Sequence, residues 1–156
     1  MATARRVSGE SPSADAITNC LRTTRNTLSV WFINNFTELE EAVLAIAAQF
    51  DHLDTVDFLI IELSMLYAVH LEIEETPGET PYTAFISSHR DITALNYVSL
   101  GTVADVIVET LRRKYQERFT RGRLKNLLYK RIEDGKIQKD ALKKRTKKKL
   151  FPEDVE

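Results

Sequence analysis

Residues 112–149 carry 17 Lys and Arg against 4 Asp and Glu, and there the chain concentrates the side chains able to do chemistry. Arg112, Arg113, Arg118, Arg121, Arg123, Lys125, Lys130 and Arg131 fall at the spacing of polar helix faces. A run follows at Lys143, Lys144, Arg145, Lys147, Lys148 and Lys149. Such arrays bind phosphate backbones because each phosphate met by a cation releases a condensed counterion, largely independently of base sequence. Tyr115, Phe119 and Tyr129 are interleaved with the cations, and a ring beside such an array can stack on an unpaired base. The same spacing also suits Tyr115 and Phe119 as core residues. The reading is a non-enzymatic small subunit or accessory protein whose partner is nucleic acid, RNA or DNA, contacted through its backbone.

The net charge of −1 conceals this arrangement. Residues 1–111 sum to −11, residues 112–149 to +13 and the last seven to −3. Charge segregated this strongly concerns partners or self-contact rather than fold. The competing reading is an interaction or assembly protein without nucleic acid. In it the acidic front half receives the basic back half, within one chain, between copies of a homo-oligomer, or inside a larger complex. Glu38, Glu40, Glu41, Asp51, Asp54, Glu72, Glu74 and Glu75 are the acceptors that reading requires.

Catalytic constellations are thin. Ser87-Ser88-His89-Arg90-Asp91 gathers nucleophile and base types. Adjacent residues seldom reach triad geometry, whose members normally come from different segments, and Asp91 is read instead as a helix cap. His70 belongs to no His-x-x-x-His or Glu-x-x-His pair at the ligand spacing of a helical metal site, so no metal is expected. Gly101 and Gly122 each stand alone, so there is no phosphate-cradling loop and no cofactor is expected. The single Cys20 cannot pair within the chain, which points to a reducing compartment. Arg5-Arg6-Val7-Ser8 looks like a basophilic kinase site, and 143–149 like a short nuclear import signal. With no signal-peptide core and no apolar run of membrane length, the expected location is cytoplasmic, or nuclear in a eukaryote, with no membrane partner.

The elements that must position these residues read as helices. Few Gly and Pro and 43% hydrophobic residues suit a folded, helix-rich chain. Eleven of the sixteen residues from Val56 to Leu71 are apolar and fall on every side of a helix, the pattern of a buried element. The expected fold class is mainly α: a compact bundle of about five helices around 56–71, with an alternation from Tyr67 to Ile73 that allows one short β-hairpin over 67–86. Residues 1–14 read as a flexible tail and 15–135 as the helical domain. Residues 136–156 read as a basic, partly ordered extension with an acidic end.

Before that central segment, Ile17, Cys20, Leu28 and Trp31-Phe32 stripe a first helix that Asn34-Asn35 ends. Thr37 with Glu40 makes a capping box for a second, with Leu39, Val43, Ile46 and Phe50 inward. After the hairpin region Asp91 opens a short helical run to Tyr97. Thr102 with Asp105 opens a helix striped by Val103, Val106, Ile107, Leu111, Tyr115 and Phe119. Leu124, Leu127, Leu128 and Ile132 stripe another, which Gly135 ends. Beyond it, Ile137, Leu142 and Leu150 are the only aliphatic side chains larger than Ala among many Lys before the acidic end.

Overall fold

In the computed structural model, which describes residues 17, 18, 21 and 23–152, the apolar run at 56–71 is not one helix. Val56–Leu59 is a strand, β2, and Leu63–Ala68 a short helix, α2. The remaining elements are β1 (Leu28–Trp31), α1 (Leu39–Ala47), β3 (Ile73–Glu75), β4 (His89–Ile92), α3 (Tyr97–Arg112), β5 (Gln116–Phe119), α4 (Arg121–Glu133) and α5 (Lys144–Leu150). Short 3-10 segments lie at Phe36–Glu38, Thr83–Ser88 and Lys139–Ala141. The strands form two antiparallel sheets, one in the order β1–β4–β3 and one pairing β2 with β5. The fold is mixed α/β, which overturns the expectation of a mainly-α bundle around a central helix.

The reason lies in β5. Val56 pairs with Phe119, Asp57 with Arg118, Phe58 with Glu117 and Leu59 with Gln116. Asp57 and Arg118 sit directly opposite, joined by two hydrogen bonds of 2.6 Å from the guanidinium to the carboxylate. Phe58 meets Phe119 edge to face at 5.6 Å. A short apolar run rich in Val, Ile and Phe satisfies strand and buried-helix patterns equally. Cross-strand partners decide between them, and here the partner lies some sixty residues away in sequence.

Other expectations change for local reasons. The stripe ending at Trp31-Phe32 finishes in β1 rather than a helix; Ile17 and Thr18 are helical, and Cys20 lies outside the described residues, as do Ser8 and the tail. Arg25 and Asn26 hold φ of 55° and 60° between Thr24 and Thr27, whose backbones exchange two hydrogen bonds; two left-handed residues in a row make the tight turn that leads into β1. Asn34-Asn35 begins rather than ends a helix, since the Asn35 side chain accepts from the Thr37 and Glu38 amides. The returning strand is β4, not Tyr82–Ile86, which is mostly 3-10, so there is no hairpin over 67–86. Asp91 does not start the following helix, whose cap is Asn96: it lies within β4 and accepts the Ser29 hydroxyl at 2.8 Å. Helix α3 starts at an Asn96–Ser99 capping box, ahead of the expected Thr102, and runs through Gly101.

Three helices close with the same device. After α2, α3 and α4 the chain turns through His70, Lys114 and Gly135, with φ of 57°, 59° and 69°. In each case the next amide reaches back across the last turn: Leu71 to the Leu66 carbonyl, Tyr115 to Thr110, Lys136 to Arg131. This is the Schellman closure, usually built on glycine.

The chain divides into two units. The first holds the described residues up to Val30, with Thr55–Glu74 and Asp91–Phe119. Its core is Leu66, Leu71, Ile92, Leu95, Val103, Val106 and Ile107. Val103, Val106 and Ile107 are buried on α3 as the period predicts, but Thr110 completes the buried stripe, while Leu111 is half-buried and Tyr115 lies past the helix end. Phe119, expected to extend that stripe, is instead buried on β5.

The second unit holds Trp31–Asp54, Glu75–Arg90 and the described residues from Thr120. Its inner helix is α1, where Ala42, Val43, Leu44, Ala45 and Ala47 are all buried. The all-round apolar helix therefore exists, but at 39–47, where alanines let neighbours approach from several sides. Helix α1 packs against α4 and the 3-10 segment Thr83–Ser88.

Candidate nucleic-acid interface

The basic candidates stand on both units. Arg112 and Arg113 end α3, and Arg118 lies on β5, all in the first. Each has a carboxylate. Arg112 lies 4.0 Å from Glu109, and Arg113 donates to Glu109 at 3.0 Å and lies 4.0 Å from Glu62. Arg118 holds Asp57. The Glu109 hydrogen bond raises the Arg113 pKa, and the Asp57 hydrogen bond raises that of Arg118.

The remaining candidates belong to the second unit. Thr120 starts α4 by accepting the Arg123 amide, and Leu124 and Leu128, one turn apart, are its buried side chains. Arg121, Lys125 and Tyr129 recur every four residues and so share a side of the helix. After Gly135 the chain is held down by Ile137, Leu142 and Leu150, each at most 7% exposed. These are the aliphatic residues that stood out among the lysines. Leu150 and Thr146 form the buried side of α5, and the Thr146 hydroxyl donates to the Phe50 carbonyl. Lys144 and Lys148, one turn apart, are exposed, and Lys149 is half-buried.

Ion pairing separates these cations into two groups. Arg123 donates to Glu40 at 2.9 Å. Arg131 donates to Glu41 and stands 3.6 Å from Asp134. Arg145 reaches Asp51 at 3.4 Å and donates to His52 Nε2 at 2.8 Å. Lys147 bonds Asp140, which holds that carboxyl below its usual range. Among the described residues, Arg121, Lys125, Lys130, Lys143, Lys144, Lys148 and Lys149 have no carboxylate within 4.0 Å. The arginines tie the second unit to its acidic segment, and the uncommitted charge is almost all lysine.

The Glu41 carboxylate has a second donor, the Tyr82 hydroxyl. Burial, then the hydrogen bond and charge of Glu41, push the Tyr82 phenol up to about 12 against the opposing effect of Arg131. Glu41 thus joins α1, α4 and the segment before Thr83.

Of the three interleaved aromatics, Phe119 is fully buried and Tyr115 is 40% exposed in the first unit. Tyr129 is 43% exposed, and its ring lies 5.4 Å from that of Phe151 at a 31° tilt. Lys139 Nζ sits 4.1 Å from the Phe151 ring centroid. Lys139 and Phe151 were not anticipated. The signal available was Phe151 three residues beyond Lys148, one helical turn on.

The Ser87–Asp91 cluster spans the end of a 3-10 segment and most of β4. His89 is buried, its Nδ1 is 2.9 Å from the Thr76 hydroxyl, and the Trp31 ring stands edge-on at 5.1 Å. Trp31 is half-buried and also stacks on Phe85 at 6.3 Å, while Phe32 is more exposed, with the Arg90 guanidinium 5.9 Å from its ring. His70 serves as the left-handed helix stop described above. No group of three metal-ligating side chains comes together among the described residues, and no described helix is long and apolar enough to cross a membrane. No known protein family, curated protein or solved structure matches the chain.

Proposed function

We propose that this protein is a non-enzymatic accessory protein or small subunit that binds nucleic-acid backbone through the second unit. The observation that carries the proposal is the set of seven cations without carboxylate partners: Arg121, Lys125 and Lys130 on α4, and Lys143, Lys144, Lys148 and Lys149 at α5. Folding has neutralised the other seven candidates, so these carry the charge left for a polyanion. Arg and Lys meet phosphates there with little base reading. A cytoplasmic setting, or a nuclear one if 143–149 acts as an import signal, belongs to the same proposal.

The test is a salt series of binding by the full chain to a labelled nucleic acid, beside a Lys143/Lys144/Lys148/Lys149→Gln variant. If about four phosphates are met, log affinity falls with log salt at a slope of about −3.6 on a duplex and about −2.8 on a single strand. The variant loses most of that slope while unfolding at the same denaturant concentration. Absence of binding to either form at low salt refutes the proposal.

The second reading is an assembly protein that docks on acidic protein surfaces. It is favoured by the pairs of Arg123, Arg131 and Arg145 with Glu40, Glu41 and Asp51, acid–base docking already at work inside one unit. It predicts an oligomer or partner complex that survives nuclease treatment.

A further inference from the structure

We infer that the ligand is single-stranded, with an unpaired base stacking on the Tyr129 ring at the head of the α4–α5 lysines. This inference rests on the nucleic-acid reading above and specifies its substrate class. Tyr129 follows Lys125 by one helical turn, and its partner Phe151 follows Lys148 by three residues. The ring contact of 5.4 Å therefore brings the end of the α4 cation row to the end of the α5 row. Phe151 is half-buried, with the Lys139 ammonium 4.1 Å from its ring centre. That cation–π contact and the Tyr129 contact fix Phe151 as a backing plate. Tyr129 is the exposed ring of the pair, and its hydroxyl has no hydrogen-bond partner among the described residues.

An exposed tyrosine held by a second ring and flanked by uncommitted lysines has the parts of a single-strand platform: cations for the backbone and a π-face for the base. A duplex keeps its bases stacked on each other, so the same ring would be a bystander there. The lysines meet phosphates and the ring meets a base face, groups that DNA and RNA share, so strands of either kind are treated alike.

The experiment uses the full chain and four labelled ligands of equal length: an unstructured DNA strand, its RNA counterpart, a duplex, and an abasic phosphodiester strand. Stacking of one base is worth ~1–3 kcal/mol, or roughly 5- to 150-fold in affinity, and a partly exposed ring belongs near the lower end. The expected result is DNA and RNA strands binding within about threefold of each other and at least about fivefold tighter than the duplex or the abasic strand. Tyr129→Ala loses that margin and keeps the salt slope; Tyr129→Phe keeps both. Equal affinity of the unmodified protein for base-bearing and abasic strands overturns the inference, whatever the variants do. Steep salt dependence without base preference removes the stacking alone, whereas no salt-dependent binding to any of the four removes the nucleic-acid reading as well.

Discussion

Replacing Glu41 by Ala removes an acceptor that Tyr82 and Arg131 share. The Tyr82 residue is 3% exposed, and the Glu41 and Arg131 side chains are 25% and 20% exposed. A hydrogen bond to a charged group is worth ~1.5–3 kcal/mol net, and a donor left buried without a partner costs ~1–3 kcal/mol. Two such bonds set a ceiling of ~6 kcal/mol. The true loss is smaller, because Arg131 keeps some access to water and retains Asp134 at 3.6 Å. An expected loss of ~2–4 kcal/mol follows. With an m-value of ~2 kcal/mol per molar urea, the unfolding midpoint falls by ~1–2 M. Trp31 lies in the same unit and reports the transition by fluorescence. Glu41→Gln keeps an acceptor for Tyr82 but no charge for Arg131, and falls between. Glu40→Ala breaks a pair whose side chains are 40% and 46% exposed, and loses at most ~1 kcal/mol. If Glu41→Ala unfolds within about 0.5 kcal/mol of the unmodified protein, or Glu40→Ala costs as much, the account of the second unit is wrong.

Three further outcomes follow from the geometry. Tyr82 is held protonated, with its pKa raised from near 10 to about 12, so its stabilising contribution is whole below pH 10 and drains away as pH rises from there through about 12. Urea midpoints at about pH 9 and pH 11.5 should therefore drop further for the unmodified protein than for Tyr82→Phe, and equal drops would contradict the assignment. A Cβ on Gly78 would stand 2.9 Å from Trp31 Cη2 and 3.0 Å from His89 Cβ, so Gly78→Ala should cost ~1–3 kcal/mol by denaturant unfolding, and a neutral result would mean the Trp31–His89 contact is loose. His70→Gly relieves a left-handed residue at the end of α2 and should raise Tm by ~1–3 °C in calorimetry; a fall would show that the His70 side chain does more than stop the helix.

How far the chain could be read in advance depended on the range of each signal. The stripe Leu124–Leu128 and the stop at Gly135 are local, and both were legible. The same Schellman stop at His70 and Lys114 was not, because neither residue type announces a positive φ. Strand β2 is not legible locally because its pairing partners lie at 116–119, beyond any window of periodicity. The expected caps at Thr37, Asp91 and Thr102 lost to Asn35 and Asn96, whose side chains bond the first free amides. The basic candidates could be named from charge alone. Which of them folding had already neutralised could not, since Glu40, Glu41 and Asp51 lie some eighty to ninety residues upstream of their arginines.

That division has a chemical logic with a measurable bound. Arginine presents a rigid fork that matches a carboxylate, whereas lysine is a hydrated point charge on a flexible stem. Arginine at 123, 131 and 145 therefore suits fixed ties to α1 and the segment after it, and lysine suits a surface that must meet phosphates without a preset geometry. If the arginines stay with their carboxylates and the contacts are those of the seven uncommitted candidates, at most seven phosphates are met. The slope of log affinity against log salt is then no steeper than about −6 on a duplex and about −5 on a single strand. A steeper slope would mean that further cations join, either Lys114 and Lys136, which also have no carboxylate within 4.0 Å among the described residues, or Arg123, Arg131 or Arg145 drawn away from Glu40, Glu41 or Asp51. Withdrawal of an arginine would in addition loosen the second unit, so the urea midpoint would rise less with ligand than binding by lysines alone requires. A slope within the bound, with the urea midpoint raised by ligand, is what separate sets of folding and binding cations require.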